Sequence, residues 1–162
     1  MNLLLLKQLS ILGIFAGGVI GLVATVPFLF WICILFAMFW ISAFVLVYLK
    51  QHDLIGIINV REGSIFGAVI GFVAFIAFSI IFIPVSSILG LLFKSYSLDV
   101  LGFFMNDFGS FIVLVLLVVS TAGLAALFNG FTGLITAYVY ELISGVKKEN
   151  NENNTVDFTV DL

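Results

Sequence analysis

The sequence predicts an all-α membrane protein, with four transmembrane helices built from two parallel helical-hairpin repeats. Three observations carry this expectation. The chain of 162 residues is 63% hydrophobic and 9% charged, whereas ordinary soluble domains carry roughly 25% charged residues. No charged residue occurs between Leu9 and Leu49, and two further long apolar stretches follow. A glycine pattern then recurs at a fixed offset of 50 residues, from Gly13 to Gly63. A soluble fold of this length leaves too much surface in water to hide so much apolar side chain. A lipid bilayer removes the conflict, and a mean hydropathy of +1.32 agrees with that solvent.

The first apolar stretch has to fold back on itself. As one helix, the stretch from Leu9 to Leu49 would be about 60 Å long, twice a hydrocarbon core. Pro27 is the natural corner, because it lacks a backbone N–H and clashes with the preceding turn. The expected spans are therefore 9–26 and 28–49. Lys7 before an apolar run resembles a secretion signal, but the run continues without a small-residue cleavage site. The start is expected to be a retained span.

Residues 50–62 read as a polar loop whose apolar middle, Leu54 to Ile58, is too short to cross and rests at the interface. The third span is expected over 63–83, stopped by Pro84. A surface connection with a short interfacial helix should then lead to the last span. Residues 110–144 exceed one upright span and fall short of two. One tilted or broken helix is expected there, because Asn129-Gly130 and Gly133 weaken its middle. Residues 147–162 hold four acids and several Asn, the composition of a disordered polar tail on the cytoplasmic side.

Charge placement sets the expected orientation. With four spans and the N-terminus inside, Lys7, Lys50, Arg61, Lys147 and Lys148 lie on the inner side and Lys94 alone lies outside. This is the asymmetry of the positive-inside rule. It implies a multi-pass protein of the cytoplasmic (inner) membrane with both termini cytoplasmic. Tyr48, Tyr138 and Tyr140 then fall at the inner interface and Trp31 near the outer one. Trp40 falls near mid-depth, where it is expected to pack between helices.

The glycine pattern is the most specific feature. Gly13, Gly17 and Gly21 recur as Gly63, Gly67 and Gly71, and Val19-Ile20, Val23-Ala24 and Phe28 recur as Val69-Ile70, Val73-Ala74 and Phe78. Two spans apart, both copies cross in the same direction, so the repeat is parallel. Glycine at every fourth position clears one helix face for a close backbone, the way helices associate in lipid. These six residues are the expected helix-packing set. Ala122, Ala126 and Gly130 form a weaker version in the last span. Packing within the chain is the plainer use of such faces, and a homo-oligomeric zipper the sharper one.

Chemistry-bearing residues are scarce. No Asp, Glu, Lys, Arg or His falls in the middle of a span, which argues against ion-coupled transport. The polar residues at depth are Ser42, Ser79, Ser120, Thr121, Asn129 and Thr132. Serine and threonine there are expected to bond their own helix or a neighbour. Asn129 stands out as an interhelical bridge or the lining of a narrow polar passage. His52, Asp53, Glu62 and Glu141 share the inner face, but one His among acids is a poor metal set. The single cysteine, Cys33, cannot form an internal disulfide. No nucleophile–base pair, phosphate loop or zincin helix occurs. No catalytic residue, cofactor or metal is expected; with four acids of the net −3 chain in the tail, the membrane part is close to neutral and suggests no nucleic-acid partner.

The order of features is a glycine-zipper helix, the Pro27 corner and a bulky helix around Cys33 ending Val47-Tyr48-Leu49-Lys50. A second zipper opened by Glu62-Gly63 follows, then Pro84 and a small-residue last helix. This order resembles a loose set of small four-span membrane proteins of bacteria and archaea. The resemblance reaches to Glu141 and implies the fold alone, since that set has no established reaction. Two functions remain as expectations: a structural, interaction or accessory subunit, with a membrane protein or a second copy as partner, or a small pore or facilitator without ion coupling.

Overall fold

The structure, a computed structural model, describes residues 3–26, 28–52, 59–93 and 108–154, and all its elements there are helices. They are α1 (Leu3–Val23), α2 (Phe30–Phe39), α3 (Ile41–Gln51), α4 (Val60–Phe93) and α5 (Phe108–Asn154). Three are long and apolar enough to cross a membrane, and a fourth span results if the bent pair α2 and α3 is taken as one. The corner residue Pro27, the apolar segment 54–58 and the connection 94–107 lie outside the described residues. Turn residues flank position 27 on both sides.

Several boundaries differ from the sequence reading, each for a physical reason. Pro84 does not stop its helix; α4 continues to Phe93. Proline removes one ladder bond, whereas a helix end would orphan four carbonyls, which is costlier in hydrocarbon. Just beyond Pro84, the Ser86 and Ser87 hydroxyls donate to the Ile83 carbonyl at 3.0 and 2.9 Å. The last span is neither broken nor ended at 144. It is a single helix of 47 residues, about 70 Å at 1.5 Å per residue. Its helical backbone runs through Lys147 to Asn154, into the segment expected to be disordered; residues 155–162 lie outside the described residues. The break lies instead in the segment 28–49, expected as the second span, where α2 and α3 meet at Trp40 with a bend of 64°. Trp40 does not pack between helices, since 62% of its surface is exposed.

α4 is the central helix and packs most extensively on α5 and α1. The register of contacts gives directions. Gly13, Gly17 and Gly21 face Ile70, Ala74 and Phe78, rising together, so α1 and α4 run parallel. Gly63 and Gly71 face Ala137 and Ala125, so α4 and α5 run antiparallel. Leu9, Ile41, Val45, Leu46, Leu49, Phe66, Ile70 and Ala74 form one buried cluster among α1, α3 and α4. A second cluster, with Ala24, Cys33, Phe78 and Phe82, closes the end near the α1–α2 turn. There Phe30, Phe82 and Phe78 stack in sequence, with ring centroids 5.0 and 5.4 Å apart.

The two glycine runs do not meet each other. The run of α1 lies on α4, and the run of α4 lies on α5. A Cβ added at Gly17 would strike the Ala74 carbonyl oxygen and come within 2.8 Å of Ala74 Cα. One added at Gly21 would lie 2.8 Å from the Phe78 oxygen, whereas at Gly13 the nearest atom is 3.4 Å away. Backbone-to-backbone approach this close requires the missing side chain. The α5 face that receives the second run is Ala125, Asn129, Gly133 and Ala137; of the small-residue row Ala122, Ala126 and Gly130, Ala122 is wholly buried and a Cβ at Gly130 would lie 3.3 Å from Ala68.

Candidate functional site

Asn129 is wholly buried, near the middle of the apolar stretch 109–143 of α5. Two glycines of α4 make its slot. A Cβ at Gly71 would lie 2.5 Å from Asn129 Cβ and 2.8 Å from its Nδ2, and a Cβ at Gly67 would strike the Asn129 carbonyl oxygen. The α4 run therefore presses α5 inward until the Asn129 amide reaches α2 and α3 on its other side.

There the amide meets the break in the second span. The two Nδ2 hydrogens of Asn129 are shared among three carbonyls, those of Met38 at 2.8 Å and Ala37 at 3.1 Å and that of Ala125 on its own helix at 2.9 Å. Its Oδ1 accepts from the Ser42 backbone N–H at 2.9 Å. The Ser42 hydroxyl donates to the Asn129 main-chain carbonyl, also at 2.9 Å. One turn along α5, the Thr132 hydroxyl lies 2.7 Å from the Phe39 carbonyl and 2.8 Å from the Phe128 carbonyl. The last carbonyls of α2 and an early N–H of α3 are thus met by side chains of a different helix.

The chemistry explains the residue type. A helix end leaves four main-chain groups without intrahelical partners. No water at this depth can meet them, and each unmet group costs several kcal/mol in hydrocarbon. A primary amide offers a donor and an acceptor side by side, as a peptide does. It can therefore serve a carbonyl and an N–H of the broken ladder together, through two atoms held apart on one rigid group. No buried side-chain N or O atom among the described residues lacks a partner.

The other polar residues at depth behave more locally. Ser79 donates to Phe75 C=O at 3.0 Å and Thr121 to Leu117 C=O at 2.7 Å, each within its own helix. Of His52, Asp53, Glu62 and Glu141, Asp53 lies outside the described residues, and no group of three or more His, Cys, Asp or Glu comes together among those described. His52 instead sets its ring against Tyr48, with centroids 4.5 Å apart.

The sequence singled out Asn129 but not its partners. Ser42 and Thr132 are expected to bond their own helix or a neighbour, and they do, but nothing in 28–52 announces a break. A usable signal existed in α5: Ala125, Asn129, Gly133 and Ala137 are spaced by four, a small-residue row interrupted by one amide. Beside the groups at the break lies an open apolar groove of about 480 Å³ between α1 and the bent pair, bordered by Phe15, Val19, Phe36, Ile41, Phe44 and Tyr48 among others. No family model, curated protein or solved structure matches this chain.

Proposed function

We propose that the chain is a structural or interaction protein of the cytoplasmic membrane, serving as an accessory subunit of a larger membrane assembly. The observation that carries this reading is that its mid-membrane polar groups are used up internally. The Asn129 amide, the Ser42 hydroxyl and the Thr132 hydroxyl all bond main-chain groups of neighbouring or own helices. A pore or facilitator needs polar groups turned toward its cargo, and a coupled transporter needs ionisable ones at depth. The surface on offer is apolar. Only 17% of the apolar stretch of α5 is buried, against 44% for α4, with Leu127 and Phe131 among its exposed residues.

Both termini are read as cytoplasmic, supported by five Lys or Arg on that side against one on the other. The two halves are read as copies of one helical hairpin. The 50-residue offset and the parallel directions of α1 and α4 support this, although the two glycine runs lie on different neighbours.

Photo-crosslinking from Leu127 in native membranes, followed by mass spectrometry, tests the interaction reading. A discrete adduct with another membrane protein, or with a second copy, is expected. Lipid adducts alone, together with solute flux through reconstituted vesicles that Asn129→Leu alters, would favour the pore or facilitator instead.

A further inference from the structure

The second span bends by 64°, yet nothing in its own sequence requires a bend. No Gly or Pro occurs in 28–52. Trp40, at the break, keeps φ −111° and ψ −15°, a short step from helical values. Sharp helix bends arise from Pro, Gly/Ser pairs, π-bulges or a group inserted into the hydrogen-bond ladder. Here the inserted group is the Asn129 amide. Its Nδ2 holds the Met38 carbonyl and its Oδ1 holds the Ser42 N–H. In a straight helix those two groups are each other's partners, four residues apart.

We propose that Asn129 is a latch that holds the second span bent, and that α2 and α3 close into one straight helix over 30–51 when the amide withdraws. Withdrawal gives up the amide's bonds to Ala37, Met38 and Ser42 and restores the ladder bonds of a straight helix in their place. Withdrawal lets Ser42 N–H return to Met38 C=O, while the amide keeps its bond to Ala125 C=O on its own helix. Straightening takes the Ser42 N–H away from Asn129 Oδ1, so the bent arrangement is the major state and the straight one the minor state. The α2 carbonyl of Phe39, held by Thr132, regains its own N–H partner in the same motion. The closed form has a visible consequence for the surface. The groove beside α1 is bordered by Phe36 on one side of the break and by Ile41, Phe44 and Tyr48 on the other, so its shape follows the bend.

Double electron–electron resonance in lipid nanodiscs tests the latch. Spin labels replace Trp31 and Gln51, both exposed, in a Cys33→Ala background. Straightening a 64° bend lengthens the backbone separation of these sites by about 4 Å at 1.5 Å rise per residue. The parent chain is expected at the shorter distance. Asn129→Leu, which cannot bond the ladder, is expected to move the mean distance out by about that amount. Asn129→Ser provides a gentler second variant. Its hydroxyl can bond the Ala125 carbonyl as helical serines do, and its oxygen stops one atom short of the positions of the amide's Oδ1 and Nδ2. If the leucine variant does not fold, the serine variant decides alone. An unchanged distance in either folded variant overturns the proposal, because packing and not the amide would then set the bend.

Discussion

Replacing Gly17 with alanine should separate α1 from α4, and the size of the effect follows from the geometry. The added Cβ would strike the Ala74 carbonyl oxygen and lie 2.7 Å from its carbonyl carbon and 2.8 Å from its Cα. Ordinary carbon contacts lie at about 3.5–4.0 Å, so the shortfall is about 1 Å against backbone atoms that cannot rotate away. The helices must move apart, and a gap of this size forfeits about a quarter to a half of each contact along the interface. Overpacking of this kind costs about 1–3 kcal/mol, offset by about 1 kcal/mol from the better helix propensity of alanine. Gly17→Ala is therefore expected to destabilise by up to about 2 kcal/mol. Gly123 is the internal control, because a Cβ there meets nothing within 4 Å. Gly123→Ala should be neutral or stabilise by up to about 1 kcal/mol. Within the α1 run, Gly21 should rank next to Gly17, and Gly13, whose nearest atom is 3.4 Å away, should tolerate alanine. Unfolding in mixed micelles with rising dodecyl sulfate, followed by circular dichroism, measures the series. Equal midpoints for Gly17→Ala and Gly123→Ala would show that the glycine spacing does not govern the contact.

Thr132→Val keeps shape but removes the hydroxyl between Phe39 and Phe128; interhelical hydrogen bonds in membranes average about 0.6 kcal/mol, so a small loss in the same unfolding assay is expected, while a gain would show that the bond contributes nothing. Cysteines at Gly13 and Ile70, in a Cys33→Ser background, should form a disulfide within one chain, because the Gly13 Cβ position lies 3.7 Å from Ile70 Cα, within disulfide reach. Cysteines at Gly17 and Gly67 should not, since those residues face different helices; an efficient 17–67 crosslink would overturn the packing order. Reporter fusions after Phe93 and after Asn150 should report opposite sides, external and cytoplasmic, as the Lys and Arg asymmetry requires. An external signal at Asn150 would remove the four-span topology.

The solvent, the class and the places where helices could approach closely are legible in the sequence. Those features are written in composition and local spacing: 9% charge, a stretch too long for one span, and glycines four apart that clear a helix face whatever lies opposite. It also isolated Asn129, because a lone amide at depth in an apolar helix is conspicuous. Which surface each glycine run meets was a tertiary matter. A cleared face accepts any close backbone, so Gly17 could as well have met Gly67 as Ala74, and only the packing of three helices around α4 decided it. The continuation of α4 through Pro84 was also a balance, between one lost ladder bond and a whole helix end in lipid. The break at Trp40 lies furthest from the sequence. Its cause is an amide 89 residues away along the chain, held by Gly67 and Gly71 against the second span. Hydrogen bonds between distant segments leave no periodicity in either one, and so the bend could be read only where the helices come together.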